Sequence, residues 1–86
     1  MYLHLGNGAV VRQAEVLGIF DLDSSSQSFL TREFLARQER ANRVKNVSED
    51  LPKSFVLCEN AVILSPLSSA TLFRRAMNNE QLTINS

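Results

Sequence analysis

The side chains best suited to chemistry are few in this chain of 86 residues. His4 is the only histidine and Cys58 the only cysteine. A zinc site needs about four nitrogen or sulfur ligands, which these two residues cannot supply alone. His4 alternates with apolar residues and is expected to face solvent or a partner, whereas Cys58 lies in an apolar run and is expected to be a small buried residue. A catalytic dyad between the two is an alternative that the sequence leaves open.

Two further patterns fall short of a catalytic or cofactor site. The segment Gly-Asn-Gly at residues 6–8 has the glycines of a phosphate-binding loop, but a strand pattern follows it and the lysine of such loops is missing. Asp21 and Asp23 could flank a cation, although acidic residues at a strand end are usually only solvated. Since no nucleophile with a base, pair of acids or cofactor loop is recognisable, we expect no enzyme, cofactor, metal site or small-molecule substrate.

The arginines offer a clearer functional pattern. Arg37, Arg40 and Arg43 recur every three residues on a predicted helix, and Arg74 and Arg75 lie together near the end of a second one. Basic residues near a helix C terminus interact favourably with the helix dipole, which is sufficient to explain either cluster taken alone. The alternative is contact with the phosphates of a nucleic acid.

The composition indicates one small globular domain. Hydrophobic residues make up 44% of the chain and charged residues 21%, and the length suffices for one modest core. Nine basic and nine acidic residues cancel, so nucleic-acid binding would have to depend on a local patch. A single cysteine is typical of a reducing compartment, and no apolar run approaches the length that spans a membrane. We therefore expect a cytoplasmic protein without membrane contact.

Residues 54–77 organise the predicted fold. The apolar runs 55–58 and 61–64 are separated by only two residues, the length of a tight hairpin turn. Both runs are apolar on both faces, which is typical of central strands covered on two sides. The Ser-Pro pair at 65–66 ends the second strand, and a helix follows. The predicted apolar stripe of this helix comprises Leu67, Ala70, Phe73 and Met77.

Three strands are predicted at the N terminus. Apolar and polar side chains alternate in residues 1–5, so one face should be buried. This face comprises Met1, Leu3 and Leu5. Two glycines and an asparagine at 6–8 predict a tight turn into a second strand at 9–11. A third strand covers residues 16–20, where Gly18 predicts a bulge or a close approach of the backbone.

A helix from about residue 29 to residue 43 follows a serine-rich loop. Ser24 and Ser28 are both candidates to cap it. Its apolar stripe is predicted at Leu30, Phe34, Leu35 and Ala41. The mixed-charge residues 44–53 are predicted to form an exposed connection.

The resulting element order, β-β-β-α-β-β-α, predicts a small α+β fold with two helices and a mainly antiparallel sheet of about five strands. Residues 1–78 form the single predicted domain, and residues 79–86 form a polar tail or the frayed end of the second helix. One core is expected to contain Phe55, Leu57, Val62, Leu64, Phe34 and Leu30. Because strands that are apolar on both faces need more cover than two helices provide, we also expect a homo-oligomer.

Three separated motifs occur in order along the chain. They are Tyr-x-His-Leu-Gly at residues 2–6, Gly-Ile-Phe-Asp at 18–21 and Ser-Pro-Leu-Ser-Ser at 65–69. Together they resemble the extracellular-matrix regulatory protein family of Gram-positive bacteria, and its RemB branch in particular. The resemblance covers most of residues 1–77.

The resemblance implies a small cytoplasmic regulator. Members of the related RemA branch bind DNA, activate biofilm-matrix genes and assemble into closed homo-oligomeric rings, with a fold related to LytTR-type DNA-binding domains. The RemA branch relies on arginines just before its third strand and just before its hairpin. Here the first position holds Glu15, and among residues 50–53 only Lys53 is basic.

Two functions from different classes follow from these observations. The first is an oligomeric DNA-binding transcription regulator linked to extracellular-matrix and biofilm genes. The second is an oligomeric protein-interaction module that has the same fold and does not bind DNA. The residues predicted to contact double-stranded DNA are Arg12, Lys53, Arg74 and Arg75. The second choice is the stripe of Arg37, Arg40 and Arg43. Repeated around a ring, such side chains would form a belt of phosphate contacts.

Overall fold

The computed structural model of the protein describes residues 1–22 and 29–85, and side chains as far as residue 78. Within these residues lie six strands and two helices. In chain order they are β1 (Tyr2–Gly6), β2 (Ala9–Arg12), β3 (Val16–Asp21), α1 (Phe29–Arg40), β4 (Val44–Asn46), β5 (Ser54–Cys58), β6 (Val62–Ser65) and α2 (Ser69–Asn85). The predicted small α+β fold with mainly antiparallel pairing is confirmed. Asp23 and the candidate caps Ser24 and Ser28 lie outside the described residues.

The strands form a four-stranded sheet and a separate hairpin. In the sheet the order is β3-β5-β6-β4, with β5 antiparallel to both of its neighbours. The predicted hairpin of two central strands is therefore confirmed, and the backbone N–H of Cys58 closes its turn by donating to the carbonyl of Ala61 over 2.8 Å. The hairpin of β1 and β2 packs on one face of this sheet through Leu3 and Leu5.

The prediction that residues 44–53 form only an exposed connection is wrong for the first three of these residues. Residues of β4 pair in parallel with β6, and Val62 donates its N–H to the carbonyl of Arg43 over 2.9 Å. The three residues of β4 include Lys45 and Asn46, both exposed, so the segment has no apolar alternation of its own. These residues therefore form a strand because they pair with the edge of β6. This explains why the local sequence pattern did not predict the strand.

The turn between β1 and β2 depends on three successive residues with positive φ. These are Gly6 at +100°, Asn7 at +53° and Gly8 at +79°. Glycine adopts such angles without a steric penalty, and asparagine tolerates them better than most residues do. The turn predicted at 6–8 is confirmed. Leu3 and Leu5 are fully buried as expected, but Met1 is exposed because β1 begins only at the next residue.

The two faces of the sheet have separate cores, as the pattern of β5 requires. Val56 and Cys58 face one side together with Leu3, Leu5 and Leu72. The alternate residues of β5 face the other side, because successive side chains of a strand point in opposite directions. That second core contains Leu22, Phe55 and Val62, with Phe34, Leu35, Val44, Leu57 and Leu64 packed against it. The β1–β2 hairpin and α2 cover the first face, and α1 covers part of the second.

The core prediction is confirmed for five of its six residues and is wrong for Leu30. This side chain is 75% exposed, although Phe34 and Leu35 on the same helix are half-buried. The helix α1 contacts β4, and Leu30 in its first turn lines an open groove beside Phe55 and Leu57 instead of entering the core. Ala41 is also exposed, since it lies beyond the end of the helix.

The helix α1 ends three residues earlier than predicted. Asn42 has a φ of +59°, the left-handed conformation that commonly stops a helix. Its N–H donates to the carbonyl of Glu39 over 2.9 Å, and the N–H of Arg43 donates to that of Gln38 over 2.9 Å. This pair of bonds is the Schellman motif, which satisfies the last carbonyls of the helix.

The bulge predicted in β3 is confirmed. The pairing of β3 with β5 shifts register between Val16 and Gly18. A Cβ atom on Gly18 would lie 2.7 Å from the ring of Phe20, so a larger residue here would force that ring to move. Leu17, at the bulge itself, is exposed.

The apolar stripe predicted for α2 is out of phase. Ala70, Phe73 and Met77 are exposed, and the buried residue is Leu72, with Ala76 packed one turn later. The cause is the start of the helix: Ser68 accepts a hydrogen bond from the N–H of Thr71 over 3.1 Å and acts as the N-cap. Leu67 therefore lies outside the helix and does not set its phase. Along the described backbone, no helix is long and apolar enough to cross a membrane.

Candidate nucleic-acid interface

The outer surface of the β1–β2 hairpin carries one of the predicted arginines beside two aromatic side chains. In β1 the two leucines point into the core, so Tyr2 and His4 point outward and are exposed. In the register of the hairpin Tyr2 pairs with Arg12 and His4 pairs with Val10. Residues paired in this way share one face of the strands, with Cα atoms about 4.5–5.5 Å apart. We call this surface, formed by Tyr2, His4, Val10 and Arg12, the hairpin face.

The helix α2 borders the hairpin face and adds a second predicted arginine to it. The Nη1 atom of Arg75 donates to the backbone carbonyl of His4 over 3.2 Å. The Nε2 atom of Gln13 donates to the carbonyl of Ala76 over 3.3 Å. These bonds join α2 to the middle of β1 and to Gln13, which also donates its backbone N–H to the carbonyl of Met1, just before β1, over 3.0 Å. The structure thus brings Arg12 and Arg75 to one surface, with Arg74 exposed next to it.

A groove of about 550 Å³ runs between β1 and α2. Its lining residues are Tyr2, His4, Gly6, Gly8, Ala9, Arg75 and Asn78. None of these residues is acidic, and within the described part of the chain Arg75 has no carboxylate partner. The hairpin face and this groove are therefore electrostatically suited to an anionic partner, even though the whole chain is neutral.

The structure does not bring Lys53 to the same surface. Its N–H donates to the carbonyl of Ser65 over 2.8 Å, and its own carbonyl accepts from Leu22 over 2.8 Å. Lys53 therefore lies at the start of β5, whereas Arg12 lies close to β3, whose first residue pairs with the end of β5. Four residue steps along a strand cover about 13 Å at about 3.3 Å per step. Within one subunit, Lys53 thus lies at the opposite end of β5 from the residue that pairs with Val16, four positions after Arg12.

The second-choice arginines do not form one helical stripe. Arg37 and Arg40 are exposed on the last turns of α1, but Arg43 lies beyond the Schellman motif. Arg37 donates to the carboxylate of Glu33 over 3.0 Å, so part of its charge is neutralised within the helix. This group is therefore less suited to phosphate contact than the hairpin face.

The alternative of a dyad between His4 and Cys58 is not supported by the geometry. Cys58 is buried in the core with Leu3 and Leu5, and His4 points to the opposite side of β1. Burial, with a smaller contribution from the negative charge of Glu15, raises the pKa of the Cys58 thiol. The thiol is therefore protonated at neutral pH and is a poor nucleophile. Among the side chains that the structure describes, no three potential metal ligands come together.

No role for Tyr2 was predicted from the sequence, and the predicted exposure of His4 is confirmed. The sequence did contain a pattern from which the hairpin face could have been predicted. Alternation in β1 and a tight turn at 6–8 together determine which residues of β2 lie opposite Tyr2 and His4. The contribution of Arg75 was not accessible in this way, because it depends on the direction in which α2 crosses the hairpin.

These features define a class of protein, namely a small α+β domain with a basic and aromatic surface and a buried, unreactive cysteine. Comparison with known proteins agrees and is more specific. Residues 2–76 match the family model RemA-like, described as extracellular matrix regulatory protein A-like. Over 76 residues the chain is 40% identical to extracellular matrix regulatory protein B of Bacillus subtilis (strain 168), an alignment that covers 88% of this chain and 90% of that protein. The chain therefore belongs to the RemA-like family of extracellular matrix regulatory proteins, which confirms the resemblance seen in its motifs.

Proposed function

We propose that this protein is an oligomeric DNA-binding transcription regulator acting on genes of the extracellular matrix and biofilm. Membership of a family of extracellular matrix regulatory proteins supports the regulatory part of this function. The observation that carries the DNA-binding part is the position of Arg12 opposite Tyr2 and of Arg75 against His4, beside a groove with no acidic residue in its lining.

The contacts would be made mainly to the DNA backbone. A guanidinium group presents a planar fork of donors that matches the oxygens of a phosphate. Arg12, Arg74 and Arg75 supply three such groups in one subunit, all of them exposed. The surface is built from a hairpin and the side of a helix, so no helix end is presented for insertion into the major groove. We therefore expect strong dependence on salt and weak discrimination between DNA sequences.

Assembly of several subunits would multiply these few contacts. Large apolar side chains are exposed on both sides of β3, which is an edge strand of the sheet. On one side Leu17, Phe73 and Met77 line a groove of about 300 Å³. On the other side Phe20 and Leu30 line a groove of about 260 Å³. A second copy placed along β3 would remove this apolar surface from water, and repeated head-to-tail contacts of that kind close into a ring.

The alternative function is an oligomeric interaction module without DNA affinity. The observation that favours it is the identity of the residues where the RemA branch carries arginines. Glu15 occupies the first position, and Lys53, at the start of β5, is not among the residues of the hairpin face or of the groove beside it. In this case the apolar surfaces along β3 would be retained, and the hairpin face would contact another protein.

Titration of the oligomer with duplex DNA at about 50 and about 200 mM salt distinguishes the two functions. If several phosphates are contacted, the logarithm of the binding constant should fall with the logarithm of salt concentration with a slope of about −0.9 per phosphate. A ring that uses six or more contacts would lose about a thousandfold or more in affinity between the two conditions. An intact oligomer that does not bind duplex DNA at the lower salt concentration would rule out DNA binding and leave the interaction module.

A further inference from the structure

The groove between β1 and α2 is open along one side and is large enough to hold a small ligand. Its volume of about 550 Å³ lies within the range of about 300–1,000 Å³ that is usual for small-ligand sites. Two walls define it, the outward side chains of β1 and the face of α2 that carries Arg75 and Asn78. Because Gly6, Gly8 and Ala9 have little or no side chain, the third side of the groove stays open.

The polar groups of the groove are donors suited to a phosphate. Arg75 uses one N–H to bond the carbonyl of His4, which holds the guanidinium in place along β1. A guanidinium has five N–H groups, so others remain available for an anion. The imidazole of His4 and the amide of Asn78 line the same groove and can each donate a further hydrogen bond. The absence of acidic residues from the lining means that an anion there meets no fixed negative charge.

Tyr2, the remaining large side chain in the lining of the groove, is suited to stack against a planar ring of a ligand. Tyr2 lies two residues before His4 on the same outward face of β1, about 7 Å away along a strand that rises about 3.3 Å per residue. Its ring is partly exposed and lines the groove. Aromatic side chains in such positions stack with nucleic-acid bases of any sequence, because every base presents a π face.

We propose that this groove binds a nucleoside monophosphate, with the phosphate on Arg75 and His4 and the base against Tyr2. The distance between the two parts of the site agrees with this class of ligand, since a sugar separates phosphate and base by several ångströms. The proposal concerns binding only, and no chemical change of the ligand is part of it. The proposal does not depend on DNA binding, since a single free nucleotide fits within the groove.

The chain carries its own spectroscopic probes for this site. It contains one tyrosine, one histidine and no tryptophan. In a proton NMR spectrum of the full chain the ring signals of Tyr2 and His4 are therefore assigned without ambiguity. Adenosine 5′-monophosphate (AMP) is the probe, with adenosine and inorganic phosphate as its two halves. Saturable shifts of both rings are expected with AMP, and each half alone should bind at least about tenfold more weakly.

Two substitutions of the same kind test which residue holds the phosphate. Arg75→Gln removes the proposed phosphate contact, and Arg32→Gln is the matched control, because Arg32 is exposed on α1 away from the groove. The affinity for AMP should fall at least about tenfold in the first variant and stay unchanged in the second. Tyr2→Leu should weaken AMP binding about fivefold or more, as expected for a lost base stack, without affecting the binding of inorganic phosphate. The far-UV circular dichroism of each variant should match that of the wild-type chain.

The phosphorus NMR signal of AMP with wild-type protein gives a readout that needs no substitution. Broadening of this signal by the protein is expected, with reversal by excess inorganic phosphate. The proposal is overturned if AMP at about 10 mM shifts neither ring, if Arg75→Gln binds AMP as tightly as the wild type, or if adenosine binds as well as AMP. Duplex DNA binding without AMP binding would refute only the nucleotide site, and AMP binding without DNA binding would refute only the proposed function.

Discussion

Ser54 and Ser65 lie directly opposite each other on β5 and β6, and both are completely buried. The hydroxyl of Ser65 donates to the carbonyl of Leu5 over 2.7 Å and accepts from the N–H of Leu67 over 3.0 Å. The hydroxyl of Ser54 donates to the carbonyl of Leu67 over 2.7 Å. The serine pair therefore fixes both the end of β1 and the turn that leads into α2. Through β1 and α2 it also fixes the position of the hairpin face.

Replacing Ser65 by alanine should destabilise the fold by about 1–3 kcal/mol, because the buried carbonyl of Leu5 and the half-buried N–H of Leu67 each lose their partner. Ser54→Ala leaves one carbonyl unpaired and should cost less. Ser69→Ala, at the first residue of α2, is the control and should change the free energy of unfolding by less than about 0.5 kcal/mol. Urea unfolding followed by circular dichroism, at one fixed protein concentration, measures all three. Equal stability of Ser65→Ala and Ser69→Ala would show that the buried bonds do not have this role.

Two phenylalanines allow a matched test of the core. Phe55 is only 4% exposed and its ring stacks on that of Phe20 with centroids 4.9 Å apart, whereas Phe29 is 69% exposed. Phe55→Ala should cost about 3–5 kcal/mol in the free energy of unfolding, the usual range for a buried aromatic residue. Phe29→Ala should cost less than about 0.5 kcal/mol. Thermal or urea unfolding of both variants measures these losses of stability. Similar losses in the two variants would contradict the assignment of Phe55 to the second core.

Cys58 should make stability depend on pH in the alkaline range. Burial, and then the charge of Glu15, raises the pKa of the thiol above its ordinary value. A folded-state pKa above the unfolded value, which is about 8.5, means that the folded state favours the protonated thiol. The resulting stabilisation is complete below the unfolded pKa and is lost as pH rises through the folded one. Between pH 7 and pH 10 the wild type should therefore lose more stability than Cys58→Ala does. Urea unfolding of both proteins across this pH range tests the prediction. Equal losses of stability in the two proteins would refute it.

The apolar surface along β3 should hold subunits together. Light scattering of the wild type at micromolar concentration should give a mass several times that of one chain. Phe73→Glu combined with Met77→Glu should lower this mass, because two charges would have to be buried at the contact. Asn78→Glu, on the same helix but facing the groove, should leave the mass unchanged. A wild-type protein with the mass of one chain would contradict the proposed assembly.

The parts of the fold that the sequence predicted correctly are those with a strong local pattern. Leu3 and Leu5 alternate with polar residues, and the central hairpin has two apolar runs around a two-residue turn. Gly18 predicted a bulge because few other reasons place a glycine inside a strand. In each case the information lies within about ten neighbouring residues.

The parts that were missed depend on contacts between distant segments. The strand β4 exists because β6 offers a free edge, and the phase of α2 was misjudged because Ser68 caps the helix and leaves Leu67 outside it. The spatial arrangement of the basic residues could not be predicted for the same reason. Arg12 and Arg75 were both candidates from the sequence, but only the structure shows that Arg75 lies against β1, the strand that pairs with the one carrying Arg12.

Charge reversal on two surfaces tests most directly whether the hairpin face binds DNA. Arg12→Glu with Arg75→Glu changes the hairpin face, and Arg37→Glu with Arg40→Glu makes the same change in charge on α1. Lys53→Glu is measured beside them, and all variants must retain the mass of the wild-type oligomer. At about 50 mM salt we predict that the first pair abolishes binding of duplex DNA, because phosphate contacts dominate such affinity, and that the second pair leaves it nearly unchanged. Undiminished DNA affinity in Arg12→Glu with Arg75→Glu would contradict the hairpin face as the DNA-binding surface.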